Sequence, residues 1–237
     1  MFLTAEWRHL AMLNYEADPA LLASRVPAGW ELDYFQGRTF LSVVGFLFLG
    51  TRVLGVPIPF HRDFEEVNLR FYVRRRDPDG GWRRGVVFVK ELVPRWAIAF
   101  VARTVYGENY QALPMRHRRE IGADGLTTLA YQWRQQGRWE GLEVKYQGEP
   151  FLAPAEAEEN FIAEHYWGCA RQRDQRTVEY QVEHPPWKVW RAHEAKLEAD
   201  TVSLYGPELA AALRGEPSTA FVAEGSPIVV RQGRLME

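Results

Sequence analysis

Glu66, Asn68 and Arg70 occupy alternate positions in the stretch Phe64-Glu65-Glu66-Val67-Asn68-Leu69-Arg70-Phe71-Tyr72-Val73-Arg74. Alternation with period two marks a half-buried strand. Same-face neighbours on a strand stand about 6–7 Å apart. A carboxylate, an amide and a guanidinium therefore share one face, while Val67, Leu69, Phe71 and Val73 take the other. Tyr72 and Arg74 extend the polar row toward a hairpin and are expected to reach solvent. Either water solvates the row, as it does most polar strand faces, or the row lines a polar cavity. In the second case Glu66 is a candidate general acid or base, its pKa raised by burial. Arg70 is then a candidate partner for a carboxylate, which a guanidinium grips in a fork.

Other chemistry-bearing residues are weaker candidates. Arg103 sits in an apolar run and needs a carboxylate there, since an unpaired buried charge is costly; otherwise it snorkels to the surface. The lysines are Lys90, Lys145, Lys188 and Lys196. The histidines show no tight ligand spacing, His61-x-Asp63 being the nearest, so no metal site is expected. Cys169 stands alone and reads as a small buried hydrophobe. Ser42 and Ser203 lie in no nucleophile-elbow pattern. Gly45-x4-Gly50-Thr51 lacks the lysine of a phosphate loop. Met115-Arg116-His117-Arg118-Arg119 splits its charge between two strand faces and is a poor nucleic-acid patch.

The elements that must hold the row follow from turn and periodicity signals. Strands are expected at Trp7–Tyr15, Trp30–Phe35, Thr39–Phe48, the organising stretch and Gly85–Val93. Further strands are expected at Met115–Ile121, Leu126–Arg134, Trp139–Gln147, Thr177–His184, Trp187–Leu197 and Ile228–Arg231. Asp18-Pro19 starts a short helix through Val26. Gly50 to Pro59 reads as a loop, and Asp77-Pro78-Asp79-Gly80-Gly81 as a hairpin turn. Helices are expected at Pro94–Tyr106, Pro154–Trp167 and Pro207–Arg214. Strands outnumber helices and adjoin one another in sequence, which argues for antiparallel sheets curled round one core with helices packed on them.

The 237 residues suit a single domain, 1–237, with a large core. A net charge of −2 gives no field that would draw nucleic acid or an anionic membrane. The start lacks the basic and apolar regions of a signal peptide. The longest apolar run, Phe40 to Leu49, is too short to span a bilayer. With one cysteine there is no internal disulfide, and a cytoplasmic location is expected.

Two patterns resemble known families. Tyr15-Glu16-Ala17-Asp18-Pro19-Ala20-Leu21-Leu22, then Val26-Pro27-Ala28-Gly29-Trp30-Glu31-Leu32-Asp33, resembles the N-terminal part of acetoacetate decarboxylases. Glu66-x-Asn68-x-Arg70-x-Tyr72-Val73 with Ala102-Arg103, Tyr106-Gly107 and Ala112-Leu113-Pro114-Met115 resembles the YqjF-like bacterial family, a domain of unknown function. The likeness is specific from Phe2 to about Met115 and looser after Lys145. It implies a mostly β fold: a curved antiparallel β-cone or barrel with an internal cavity and flanking helices. Decarboxylases of this kind use a lysine Schiff base, whose pKa a second lysine depresses. The resemblance places the reactive lysine at Tyr110 and its neighbour at Gln111, neither of which forms an imine. It also places a pocket arginine at Arg8 and a pocket glutamate at Glu66.

The resulting expectation is a protein that binds a small anionic or carbonyl-containing molecule in a β-cone cavity. Arg8, Glu66, Asn68, Arg70, Arg103 and Tyr110 would converge on the ligand, without cofactor, metal, nucleic acid or membrane; a homo-oligomer is left open. One alternative is a non-Schiff-base lyase or isomerase of small keto acids, with Glu66 as acid or base. Another is a structural or partner-binding protein whose cavity is filled by aromatics, which make up 14% of the chain.

Overall fold

The structure is a computed structural model that describes residues 1–57, 61–77, 79–94, 109–172 and 174–236. In chain order its first strands are β1 (Leu3–Ala17), β2 (Glu31–Leu32), β3 (Thr39–Val53), β4 (Val56–Pro57), β5 (Phe64–Arg76) and β6 (Trp82–Val93). Next come β7 (Tyr110–Ala112), β8 (Met115–Ile121), β9 (Thr127–Gln135), β10 (Arg138–Tyr146) and β11 (Phe151–Leu152). The last are β12 (Trp167–Arg171), β13 (Thr177–Glu183), β14 (Lys188–Glu198), β15 (Thr219–Val230) and β16 (Arg234–Leu235).

The organising stretch is strand β5, between β3 and β6 in one large curved sheet. Neighbours along the sheet run β13, β12, β6, β5, β3, β1, β15, and β15 pairs back onto β13 at Val230 and Val182. The order therefore closes into a ring. Most pairings are antiparallel, but β6 pairs in parallel with β12 and with β7.

The ring sorts apolar side chains into two cores. Val67, Leu69, Phe71 and Val73 face outward and pack with Leu129, Tyr131 and Trp133 of β9 and with Leu204 and Leu209. The even-numbered β5 residues face inward, where Leu10, Met12, Phe46, Phe48 and Tyr72 gather. Gly45 is required at the outer contact, because a Cβ there would stand 2.7 Å from the Tyr131 ring.

Two bulges decide what enters the ring. On β1, Arg8 pairs with Leu47 and Ala11 with Gly45, so His9 and Leu10 oppose Phe46 alone. His9 takes φ 54°. Such an insertion reverses which parity points inward. Ala5 belongs to the inner core before the bulge, Leu10 and Met12 after it. On β6, Leu69 pairs with Lys90 and Arg70 with Phe88, leaving Val89 as the extra residue. Val86 and Phe88 line the interior before it and Glu91 after it. Without that bulge Lys90 would share their face.

Asp18 caps the first helix, Pro19–Ala23, by accepting a hydrogen bond from the Ala20 amide. The expected Gly50–Pro59 loop is in part strand, since β3 runs to Val53 and turns into β4. The helix expected from Pro154 to Trp167 is confined to Glu158–Ala163, and Trp167 opens β12 instead. The helix expected over Pro207–Arg214 runs Pro207–Ala212, with a further short helix, Thr201–Tyr205, before it, and β15 begins nine residues before the expected Ile228, at Thr219. The helix expected over Pro94–Tyr106 lies, from residue 95 onward, outside the described residues, and Arg103 with it. Among the described residues no helix is long and apolar enough to cross a membrane.

Candidate functional site

The ring lines a partly open cavity of about 230 Å³. Glu66, Asn68 and Arg70 line it from β5, Glu91 from β6, Tyr110 from β7, and His165 from the segment before β12. The polar row is thus turned inward: Glu66 is 3% exposed, Asn68 1% and Arg70 8%. Cross-strand pairing puts Glu91 beside Asn68, and Tyr110 beside Glu91.

The members of the row are differently satisfied. Asn68 Nδ2 donates to Glu66 Oε1 at 3.1 Å, and the Tyr110 hydroxyl donates to Oε2 at 3.4 Å. Arg70 Nε reaches the Tyr72 hydroxyl at 3.4 Å, and Nη2 stands 3.9 Å from Met12 Sδ. Its guanidinium carbon lies 5.6 Å from the centroid of the Tyr72 ring. Among the described residues no carboxylate stands within ion-pair distance of Arg70, whereas Arg74, Arg75, Arg83 and Arg84 each have one. A buried guanidinium with so few partners is expensive unless something else supplies the negative charge.

Tyr72 does not reach solvent as expected: it is 2% exposed. Its hydroxyl donates to Ser42 Oγ at 2.8 Å, and Ser42 donates to Asn14 Oδ1 at 2.7 Å. Arg74 does lie at the surface, paired with Glu31.

Arg8 does not join the site. It precedes the His9 bulge and points away from the cavity, toward Glu6 at 2.8 Å and the Gly225 carbonyl at 3.3 Å. Trp7 lines the interior in its place. No lysine lines the cavity among the described residues; Lys90 faces the other side and donates to Gln111 at 3.3 Å.

His165 and Glu91 were not anticipated. His165 Nε2 meets Asp33 Oδ2 at 3.2 Å, and Arg84 Nε donates to the same oxygen at 2.7 Å. Burial lowers the His165 pKa to about 4; the Asp33 hydrogen bond opposes this, and Arg84 and Arg70 add to it. Burial pushes the Asp33 carboxyl up, but hydrogen bonds from His165 and Arg84 outweigh it and hold the group below its usual range. His165 is therefore neutral at neutral pH, and Arg70 is the arginine lining this cavity among the described residues. Helix Glu158–Ala163 fixes the imidazole, with Phe161 edge-on to it at 5.2 Å.

A pH dependence of stability follows. Unfolded, His165 takes up a proton near 6.5; folded, only near 4. Between these values the unfolded chain holds more protons, so stability falls as pH drops through that window. The loss from His165 approaches roughly 3 kcal/mol. His184, also lowered to about 4 by burial, acts in the same direction. Thermal unfolding between about pH 7 and 4 should show a shallower decline for His165→Gln than for the natural chain. Parallel declines would contradict the assignment.

Among the described residues no cluster of three or more His, Cys, Asp and Glu is arranged to hold a metal ion.

A family model described as "Uncharacterized conserved protein", DUF2071, matches residues 4–227. "Uncharacterized protein YqjF" of Bacillus subtilis (strain 168) is 26% identical over 203 residues, covering 83% of this chain and 78% of that protein. Acetoacetate decarboxylase from Legionella pneumophila superposes with a TM-score of 0.68 at 12% identity, covering 100% of this chain and 88% of the other. The enduracididine biosynthesis enzyme MppR complexed with pyruvate gives 0.70 at 13%, covering 100% and 91%. An acetoacetate decarboxylase-like enzyme from Sphingomonas wittichii RW1 gives 0.65 at 13%, covering 100% and 93%. At these identities the likeness establishes the fold, which is that of the acetoacetate decarboxylases.

Proposed function

Because the chain belongs to the DUF2071 family and has an acetoacetate decarboxylase-like fold, we propose that it binds a small anionic or carbonyl-containing molecule in the ring cavity, without Schiff-base chemistry. The observation that carries this reading is Arg70, buried in a cavity wall with no carboxylate paired to it among the described residues. A carboxylate ligand would supply the missing charge and a fork of hydrogen bonds. Asn68 and Tyr110, already aligned on Glu66, stand along the same wall. The solved structure of MppR with pyruvate makes a small carbonyl acid a reasonable first probe.

The absence of a lysine from the described lining supports the non-covalent part. Incubation with pyruvate or acetoacetate and sodium borohydride should leave the protein mass unchanged. A reduced adduct would overturn this part of the reading. Binding itself is tested by calorimetric titration of each acid against its neutral amide. The acid should bind more tightly; equal affinity would remove the anion-binding role.

Glu66 favours a second reading, that of a lyase or isomerase acting on a small keto acid. It is a nearly inaccessible carboxylate facing the same space as Arg70, and it accepts hydrogen bonds from Asn68 and Tyr110. It would move a proton while Arg70 steadies a developing enolate. A screen of keto acids for proton exchange or decarboxylation tests this. Glu66→Gln should abolish any turnover found; equal turnover by the variant would reject the role.

The third expectation, a cavity filled by aromatics, predicted no internal void. Among the described residues Trp7, Phe46, Phe48 and Phe64 line the cavity.

A further inference from the structure

We propose that the ligand is an amphipathic monocarboxylate, with its carboxylate on Arg70 and an aryl or alkyl body against an aromatic wall. This rests on the reading that Arg70 receives an anion, and adds what the rest of that anion must be.

The polar groups of the cavity are confined mainly to one strip, along β5 and the adjoining ends of β6 and β7. Adjoining it, at the Phe64 end of β5 and on β3, where Phe46 pairs with Glu66, is a continuous aromatic surface. Trp7 meets Phe46 edge-on at 5.2 Å and Phe48 at 5.7 Å. Phe48 stacks on Phe64 at 4.7 Å with the rings 12° apart. These four residues come from β1, β3 and β5 and all line the cavity, and Leu10 and Phe88 extend the apolar surface. The His9 bulge is what admits both Trp7 and Leu10. A short keto acid is polar along most of its length, and would leave this wall without a complementary surface. A ligand that is apolar at one end and anionic at the other satisfies both adjoining surfaces of the cavity.

Size points the same way. A dry cavity of about 150 Å³ holds benzene, so about 230 Å³ accommodates about nine non-hydrogen atoms. Phenylacetate and hexanoate are of this order. A long-chain fatty acid would have to leave most of its tail outside.

The test is calorimetric titration of the full chain with phenylacetate, hexanoate, pyruvate, acetoacetate and phenylacetamide. Phenylacetate should bind roughly 30-fold or more tightly than pyruvate, from the apolar surface it buries. Phenylacetamide should bind much more weakly than phenylacetate, and Arg70→Met should remove the difference between them. Pyruvate or acetoacetate binding as tightly as phenylacetate, with Arg70 still required, would overturn the ligand class and leave the anion-binding reading standing. Phenylacetamide binding as tightly as phenylacetate would overturn the anion-binding reading itself. Binding of none of the five would overturn both. The acid–amide comparison uses the natural chain, so the test does not depend on the variant folding.

Discussion

Arg70→Met is expected to raise the stability of the ligand-free protein and to weaken its affinity for carboxylates. Arg70 is buried, yet its closest partners are a phenol at 3.4 Å and a thioether at 3.9 Å. Methionine removes the desolvated charge and fills similar space. Replacing buried charge with well-packed apolar groups is often stabilising, and about 1–3 kcal/mol is expected here. For a chain of this length that raises the unfolding midpoint by a few degrees. The same change should weaken carboxylate binding by about 2–3 kcal/mol, roughly 30- to 150-fold. Stability gained against binding lost is the signature of a residue kept for a ligand. A guanidinium serving only as internal scaffolding would give the opposite, with a lower midpoint for Arg70→Met. Tyr72 would lose the long hydrogen bond it accepts from Arg70 Nε but keep the one its hydroxyl donates to Ser42.

Gly225→Ala is expected to be the most damaging small substitution in the site's support. Gly225 pairs with Arg8 across β1 and β15, at φ +83°. A Cβ there would stand 2.0 Å from the Trp7 carbonyl oxygen and 2.7 Å from its carbon. Both atoms are backbone, so no side-chain rotation relieves the clash. Left-handed strain and overpacking together cost about 3 kcal/mol or more. The midpoint should drop by roughly 6–12 °C. Gly37→Ala is the control. It shares the positive φ, at +81°, but nothing lies within 4 Å of its added Cβ. It should cost only about 1 kcal/mol. Equal losses for the two variants would show that the close approach to Trp7 carries no weight. Any Gly225→Ala protein that folds should also lose ligand affinity, because Trp7 sits directly across the contact.

Much of the site was legible because β5 keeps strict alternation. Glu66, Asn68 and Arg70 share a face in sequence and share it in space, and Val67 and Leu69 take the other face as expected. Two bulges account for most of what was not legible. Arg8 and Asn14 have the same parity, and an unbroken strand would turn both inward. The extra residue at His9 puts Asn14 inside, bonded to Ser42, and leaves Arg8 outside. On β6 the Val89 bulge exchanges Lys90 for Glu91 in the interior. A bulge depends on how two strands meet, so one strand's hydrophobic pattern carries little sign of it. His165 was missed for a different reason. Its partners Asp33 and Arg84 lie far away in sequence, and no spacing rule links the three. The short helix at Glu158–Ala163 and the strand from Trp167 divide a run that reads as one amphipathic helix. There the pairing of Gly168 with Val86 overrides local propensity.

The most direct test is crystallographic. Crystals of the chain would be soaked in turn with pyruvate, acetoacetate, phenylacetate and hexanoate. The expected result is density for at least one acid inside the ring, its carboxylate in a forked contact with the Arg70 guanidinium. Acids found only on the outer surface, or an interior ligand whose carboxylate lies away from Arg70, would contradict it.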